Sequence, residues 1–414
     1  MGDCANIKSG LTILIIPDLP TGPYIVGADR FQAMWMFEPG VDATFRPLLC
    51  HIGEIYIGMG RGPDGDMWFV DDVQLVRLNP EVDPPTFEIL REDFMDGPLN
   101  MQTVHDAAID PTDATVIFVG TNGTARRYDP VSQQVTTVIE DPALGTIRRA
   151  SFDPEGQLAV LSNLGLQRLD LNKPLPLVQG DYAQFDLTIG TDLGGVPGAR
   201  QNPQPINLAV DSDGDYLVTV QTLFIEDYGD PFSAPLRYTA VYSLVKVDRT
   251  SGSVGTPVGT PTLIVERLAG FSQCLGSCPT PPPDFSDAMF FGADLISAGG
   301  IAVGNAEEIY IGRGNLLDLL YRIDRSTAPS GSILGSGGPG YTAVDIVYVD
   351  PGLPGDFDGD GDVDSMDVDF LNNCALGPEI AQTDPLCEPA DLDGDGDVDQ
   401  SDYGLLQVLI TQLP

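Results

Sequence analysis

Up to about Pro351 the chain is a succession of short runs in which apolar and polar residues alternate, each entered through a turn of Asp, Gly or Pro. Period-two alternation rich in β-branched and aromatic residues marks half-buried β-strands. One unit recurs: a turn, an alternating strand, then a second strand ending in a basic residue, an apolar residue and Asp or Asn. It reads G-P-D-G-D-M-W-F-V with Arg77–Asn79, then D-P-T-D-A-T-V-I-F-V with Arg127–Asp129, then D-P-E-G-Q-L-A-V-L with Arg168–Asp170. It returns as D-S-D-G-D-Y-L-V-T-V with Lys246–Asp248 and as A-E-E-I-Y-I-G-R-G with Arg322–Asp324. A strand-turn unit repeating every 40 to 50 residues or so predicts the blades of a β-propeller.

Two intervals between units are about twice as long as the rest. They carry F-I-E-D-Y-G-D-P-F-S-A-P-L-R and C-L-G-S-C-P-T-P-P-P-D, which read as insertions projecting from one face. The N-terminal Y-I-V-G-A-D-R-F-Q-A-M-W-M-F-E-P-G has the pattern of a blade's later strands, and Y-T-A-V-D-I-V-Y-V-D, ending at Asp350, that of an innermost one. Pairing both chain ends in one blade closes a ring and hides its edges. The expected fold is an all-β propeller of six blades over residues 1–351, with seven as the alternative. The repeated D-x-x-G turn resembles that of NHL-like and lyase-like propellers, which include lactonases, lyases and binding scaffolds. The resemblance implies the fold and no particular activity.

The pattern changes after Pro351-Gly-Leu-Pro-Gly355, a boundary short enough to keep the tail near the propeller. The tail, 355–414, is built on two twelve-residue blocks, D-F-D-G-D-G-D-V-D-S-M-D from Asp356 and D-L-D-G-D-G-D-V-D-Q-S-D from Asp391. Acids at positions 1, 3, 5, 9 and 12 with glycine at 6 supply the hard oxygens and the sharp turn that calcium loops need. In the first block Asp356, Asp358, Asp360 and Asp367 are expected to ligate directly, Asp364 directly or through water, and Asp362 through its backbone carbonyl. Asp391, Asp393, Asp395, Asp402, Asp399 and Asp397 are their counterparts, giving two calcium ions. Each block runs into an apolar helical stretch, and a solvated acidic tail has no reason to repeat one register twice.

These loop-helix repeats resemble the dockerin family, whose modules carry Asp at position 12 and attach secreted proteins to cohesin modules. The resemblance implies a small α module with a protein partner, read through positions 10 and 11 and the helix that follows. Those positions are Ser365 and Met366, then Gln400 and Ser401. The two repeats therefore present different surfaces, and the segment between them is longer than is usual in the family. The partner is a cohesin-like module or a neighbouring copy of the chain.

The formal net charge of −41 sharpens this picture. Phosphate binding needs basic neutralisation, so nucleic acid and anionic membrane are excluded as partners. No stretch has transmembrane length. Of the six cysteines, Cys374 and Cys387 are expected to pair, as are Cys274 and Cys278, leaving Cys4 with Cys50 by elimination. With the calcium loops, this points to an oxidising, extracellular or cell-surface location. Two histidines, His51 and His105, give little material for a zinc site. No basic n-region leading into an apolar run marks a signal peptide in the opening residues.

Catalytic candidates are sparse. His51 and His105 are placed just before inner strands, and Glu54, Asp106 and Asp110 could supply acid-base chemistry or bind a cation, but Asp is also what blade turns require. Trp35 and Trp68 read as core residues before a sugar platform, Asn122-Gly-Thr124 is a glycosylation sequon, and the run 279–283 is a stiff proline loop. Three functions follow in order. The first is a non-catalytic secreted propeller attached through its tail. The second is a self-assembling subunit of a fibre or surface layer. The third is a propeller enzyme of lactonase, lyase or glycan-hydrolase type targeted by the tail.

Overall fold

The structure, a computed structural model, describes residues 13–14, 23–28, 33–42, 46–50, 56–62, 66–71, 74–79, 86–92, 101, 103–191, 193, 195–228, 236–275, 278, 280–286, 288–289, 300–304, 308–312, 319–325, 330–336, 345–349, 355, 357, 363, 365–378, 380–382, 387, 390–393 and 395–412. It divides into two compact units, one of residues 1–19 and 25–348, the other of residues 20–24 and 349–414.

The larger unit is a six-bladed propeller, each blade an antiparallel sheet of four or five strands. The innermost strands of blades 1 to 6 are Tyr56–Arg61, Val104–Ile109, Arg149–Phe152, Gln204–Val210, Ile301–Val303 and Asp345–Val349. Blade 6 runs outward from Asp345–Val349 through Tyr24–Ala28, Ala33–Phe37 and Arg46–Cys50 to Ile13–Leu14. Both chain ends thus share one blade, as the patterns at 24–40 and 341–350 imply. Trp35 and Trp68 are buried in the apolar packing, which leaves no aromatic platform at either.

The recurrent turns share one hydrogen-bond geometry. The amide at the turn's first residue donates across the hairpin in blades 1 to 5: Gly62 to Asp66, Asp110 to Thr115, Asp153 to Gln157, Asp211 to Asp215, and Gly304 to Glu308, at 2.7–2.9 Å. The basic residue ending the next strand then meets an acid of this turn. Arg77 pairs with Asp66. Arg127 Nη2 donates to Asp110 Oδ2 at 3.4 Å, Arg168 Nε to Asp153 Oδ2 at 2.6 Å, Lys246 Nζ to Asp211 Oδ2 at 2.9 Å, and Arg322 Nη1 to Glu308 Oε1 at 3.1 Å. Where the turn opens on glycine, at Gly62 and Gly304, the acid sits at the far end, at Asp66 and Glu308. Either position satisfies the clamp, which explains why the basic residue recurs more strictly than the acid.

Neighbouring blades are tied in the same way. Arg325 of blade 5 reaches back to both Asp211 oxygens of blade 4 at 2.9 and 3.0 Å, and Arg249 of blade 4 donates to Glu155 of blade 3 at 3.2 Å. Tyr216 of blade 4 donates to Asp153 of blade 3 at 3.1 Å. Removing one partner of a buried ion pair leaves an uncompensated charge at a cost of ~3–5 kcal/mol.

The two long intervals are one feature. Blade 4's second, third and fourth strands lengthen to Tyr216–Asp227, Leu236–Val247 and Thr262–Leu275, so much of the first insertion is strand. Arg237, buried at the end of this extension, is bound by Glu226 Oε2 at 3.2 Å, Thr280 Oγ1 at 2.9 Å and the Pro281 carbonyl at 2.9 Å. The Cys274–Cys278 disulfide closes the turn beside it. The proline run is therefore held against the hairpin by a guanidinium, whose several donors suit carbonyl-rich surroundings.

Candidate metal centre

The smaller unit carries two helices, α1 (Ser365–Cys374) and α2 (Gln400–Gln412), each following one acidic block. Its core is nearly symmetric between the repeats: Val363 and Val398 at loop position 8, and Leu371 and Leu406 one helical turn after position 12, are all buried. Asp367 and Asp402 at position 12 are wholly buried as well. Asp402 Oδ1 accepts from the amides of Leu392 at 2.7 Å and Asp393 at 3.2 Å, and its Oδ2 from Asp399 at 2.7 Å. Asp367 Oδ1 accepts from the equivalent amide, Phe357, at 2.6 Å. A shorter Asp in place of Glu at position 12 thus acts first as a strut between the loop's two ends.

In the second loop Asp391 accepts from the amides of Asp395 and Gly396 at 3.1 and 2.8 Å, and Gly396 has φ 92°. That left-handed turn is where a Cβ is disfavoured, so glycine at position 6 is required by the backbone. Asp399 Oδ1 accepts from Ser401 at 2.7 Å, capping the start of α2. Within each of the triplets Asp391, Asp393, Asp395 and Asp397, Asp399, Asp402, one carboxylate oxygen per residue lies within 4.8 Å of the others. Desolvation, then the carboxylates of Asp395, Asp402 and Asp391, push the Asp393 carboxyl above its ordinary value despite the Asp395 amide. A cluster that resists its own ionisation fits a hard divalent cation bound by oxygens alone. Of the first loop, Asp367 is described, whereas Asp356, Asp358, Asp360, Asp362 and Asp364 lie outside the described residues, as does the boundary at 351–354.

The long inter-repeat segment lies along the second loop. Leu376 and Gly377 donate to the Val398 carbonyl at 3.2 and 3.3 Å, Gln382 to that of Gly396 at 2.9 Å, and Ala381 bridges Asp397. Gln382 Nε2 also reaches the Cys374 carbonyl at 2.8 Å, and Cys374 is bonded to Cys387. The added residues, pinned by the disulfide, brace the loop backbone. Both close cysteine pairs therefore form as expected. Cys4 and the Cys50 side chain lie outside the described residues.

Residues 354–411 match the dockerin type I domain family. The tail is a dockerin domain. Dockerin domains bind calcium and attach proteins to cohesin partners, and they occur on extracellular or cell-surface proteins. No curated protein matches the chain. The propeller is similar to solved structures at low identity. A functionally unknown protein from Desulfotomaculum acetoxidans is 14% identical with a TM-score of 0.41, over 80% of this chain and 99% of that one. A catalytically inactive virginiamycin B lyase from Staphylococcus aureus, solved with quinupristin, is 12% identical with a TM-score of 0.38, over 81% and 96%. The β-propeller domain of Cps50 (Swd1) from Myceliophteria thermophila is 10% identical with a TM-score of 0.35, over 67% and 85%.

The dockerin's two helices differ in what they show to solvent. On α2, Ser401, Leu405 and Val408 are exposed and lie on one face by their spacing, with Leu405 and Val408 41% and 50% accessible. The α1 counterparts of Leu405 and Val408 are Phe370, stacked on Phe357 with centroids 5.0 Å apart, and Asn373. Only the second repeat, among the described residues, carries an exposed apolar helix face. No described helix is long and apolar enough to cross a membrane.

The propeller carboxylates considered for acid-base chemistry have structural partners. Asp110 accepts from Thr112 at 3.0 Å and from Arg127, and Asp106 accepts from the Ala150 amide at 2.8 Å. His105 lies within blade 2's inner strand and not before it; burial, then Arg148 and Arg149, hold its imidazole below the ordinary value and hence neutral near pH 7. His51 and Glu54 lie outside the described residues.

Proposed function

We propose that the protein is a secreted, non-catalytic propeller that attaches to a cohesin-like partner through its calcium-loaded dockerin. Asp391, Asp393, Asp395 and Asp402 ligate one calcium directly, Asp399 ligates directly or through water, and Asp397 contributes its backbone carbonyl. Asp356, Asp358, Asp360, Asp362, Asp364 and Asp367 do the same for a second ion. The observation that carries the reading is the exposed Ser401, Leu405, Val408 face of α2, which begins directly after a loop strutted by Asp402. Calcium holds the loop ends together, so it sets the orientation of the helix whose face docks. An apolar pair on an ordered helix suits burial at the centre of a protein interface, while Ser401 and Gln407 provide a polar rim. On the propeller, the acids occupied by turn and inter-strand hydrogen bonds support a scaffold in preference to an enzyme.

The test is binding of the full chain to an immobilised type I cohesin in calcium, with Leu405→Asp and Val408→Asp as variants. The reading expects calcium-dependent capture that the double variant weakens at least about 100-fold, since two charges would be buried at the interface. Undiminished capture by the double variant would reject α2 as the docking face.

A further inference from the structure

The inner strands of all six blades enclose an axial cavity of about 310 Å³. Counting back four residues from the first residue of the turn gives Gly58, Asp106, Arg149, Asn207 and Gly300 in blades 1 to 5, and Asp106, Arg149, Asn207 and Gly300 line the cavity. Blades 2, 3 and 4 place an acid, a base and a carboxamide there, and blades 1 and 5 place glycine. At Gly58 the choice is steric, because a Cβ would stand 2.5 Å from the Ala107 carbonyl oxygen of the next blade. The polar arc has no such origin.

Two of its members lack the partners that protein packing normally supplies. Asn207 is 1% exposed, yet neither atom of its carboxamide has a hydrogen-bond partner. It sits at a register shift in blade 4's inner strand, where the Thr219 hydroxyl accepts from its backbone amide at 3.1 Å. A bulge that re-aims a side chain is a feature found beside binding sites. Leaving a buried donor and acceptor unmatched costs ~1–3 kcal/mol each, so such groups are ordinarily met by ordered water or a ligand. On the adjacent blade Arg149 meets the Arg148 carbonyl at 3.4 Å, and among the described residues no carboxylate pairs with it. In a chain with 61 acidic and 20 basic residues, an arginine without an acid at the axis stands out.

We propose that this channel binds a small hydroxycarboxylate, with the carboxylate on Arg149 and a hydroxyl and an oxygen matched to Asn207. The guanidinium supplies charge-assisted donors to the carboxylate. The carboxamide Oδ1 accepts from a ligand hydroxyl while Nδ2 donates to a ligand oxygen, which meets both unmatched atoms. Asp106, held by the Ala150 amide, stands on the far side of Arg149 in the ring and disfavours a second negative charge on the ligand. The site uses none of the residues of the dockerin domain.

The test is saturation-transfer NMR on the full chain in calcium, with D-galacturonate as the probe and D-galactose, which carries a neutral hydroxymethyl group in place of the carboxylate, as its control. Galacturonate binding at least about tenfold tighter than galactose is expected, with a loss of about tenfold or more in Arg149→Gln. Asn207→Asp, close in shape but placing a negative charge at a buried position, is expected to abolish binding and to lower the melting temperature, whereas Arg149→Gln keeps the wild-type melting curve. No transfer to galacturonate, equal transfer to galactose, or undiminished transfer in Arg149→Gln would each overturn the proposal. A failure of cohesin capture bears on the α2 face and leaves this result untouched.

Discussion

Asp402→Ala is the perturbation that most directly probes how the second loop is built. The buried carboxylate accepts three backbone hydrogen bonds, from Leu392, Asp393 and Asp399. A hydrogen bond to a charged acceptor contributes ~1.5–3 kcal/mol, and because three donors share one carboxylate the lower end applies, giving about 4 kcal/mol in all. A core of this size supplies only ~3–5 kcal/mol without staples and the Cys374–Cys387 bond adds about 3 kcal/mol, so the substitution removes about half of the domain's margin. Asp402→Asn keeps one acceptor oxygen and should cost about half as much. Hydrogen exchange read at the Leu392 and Asp399 amides, first in chelator and then in calcium, separates the two. The expected order of protection is wild type, then Asn, then Ala, with propeller amides such as Val119 unchanged. Equal protection of Leu392 in wild type and Asp402→Ala would refute the strut.

Three further outcomes are expected. Burial disfavours charge on Asp211, but Arg325 and Lys246 outweigh it and hold the carboxyl below the ordinary aspartate value of about 4; its contribution is therefore present above that value and lost as pH falls through the depressed folded one. Melting temperatures of wild type and Asp211→Asn should differ at pH 7 and converge in strong acid, and parallel curves from pH 7 to 2 would count against the pair. Reducing the Cys374–Cys387 bond, which closes a separation of 13 residues, should cost the dockerin domain about 3 kcal/mol; unchanged exchange at Gln382 after reduction would contradict the bracing role. Arg237→Ala should raise exchange along 224–227 and 236–240 while the other blades keep their protection, and a global loss of protection would show that the extension is part of the propeller core.

Most of the architecture is written in local pattern. Alternation and turn residues specify each strand, and the copies at 24–40 and 341–350 carry enough of the blade signature to imply the shared sixth blade. The acidic loops are legible because each ligand type is tied to a position in a short run. Interactions between distant residues are another matter. Arg325 and Arg249 follow the R-x-D and K-x-D endings directly, but nothing local says that they reach back to Asp211 and Glu155 on the preceding blade. The joining of two insertions at Arg237 is hidden for the same reason, since Glu226 and Thr280 lie on opposite sides of a strand pair. The signal that could have exposed the axial arc is register: aligning blades on the turn's first residue brings Asp106, Arg149 and Asn207 to one sequence position. The difference between Leu405 and Phe370 depends on what covers each side chain, and only the fold supplies that.

The central claim is that calcium in the dockerin domain governs attachment to another protein. Its most direct test is the light-scattering mass of the full chain mixed with a type I cohesin module, measured in calcium and again after chelation. The account predicts a one-to-one complex in calcium that separates into its components in chelator. A mixture that stays separate in calcium would contradict it, as would a complex that survives chelation, and growth into large calcium-dependent assemblies without cohesin would replace it with self-association.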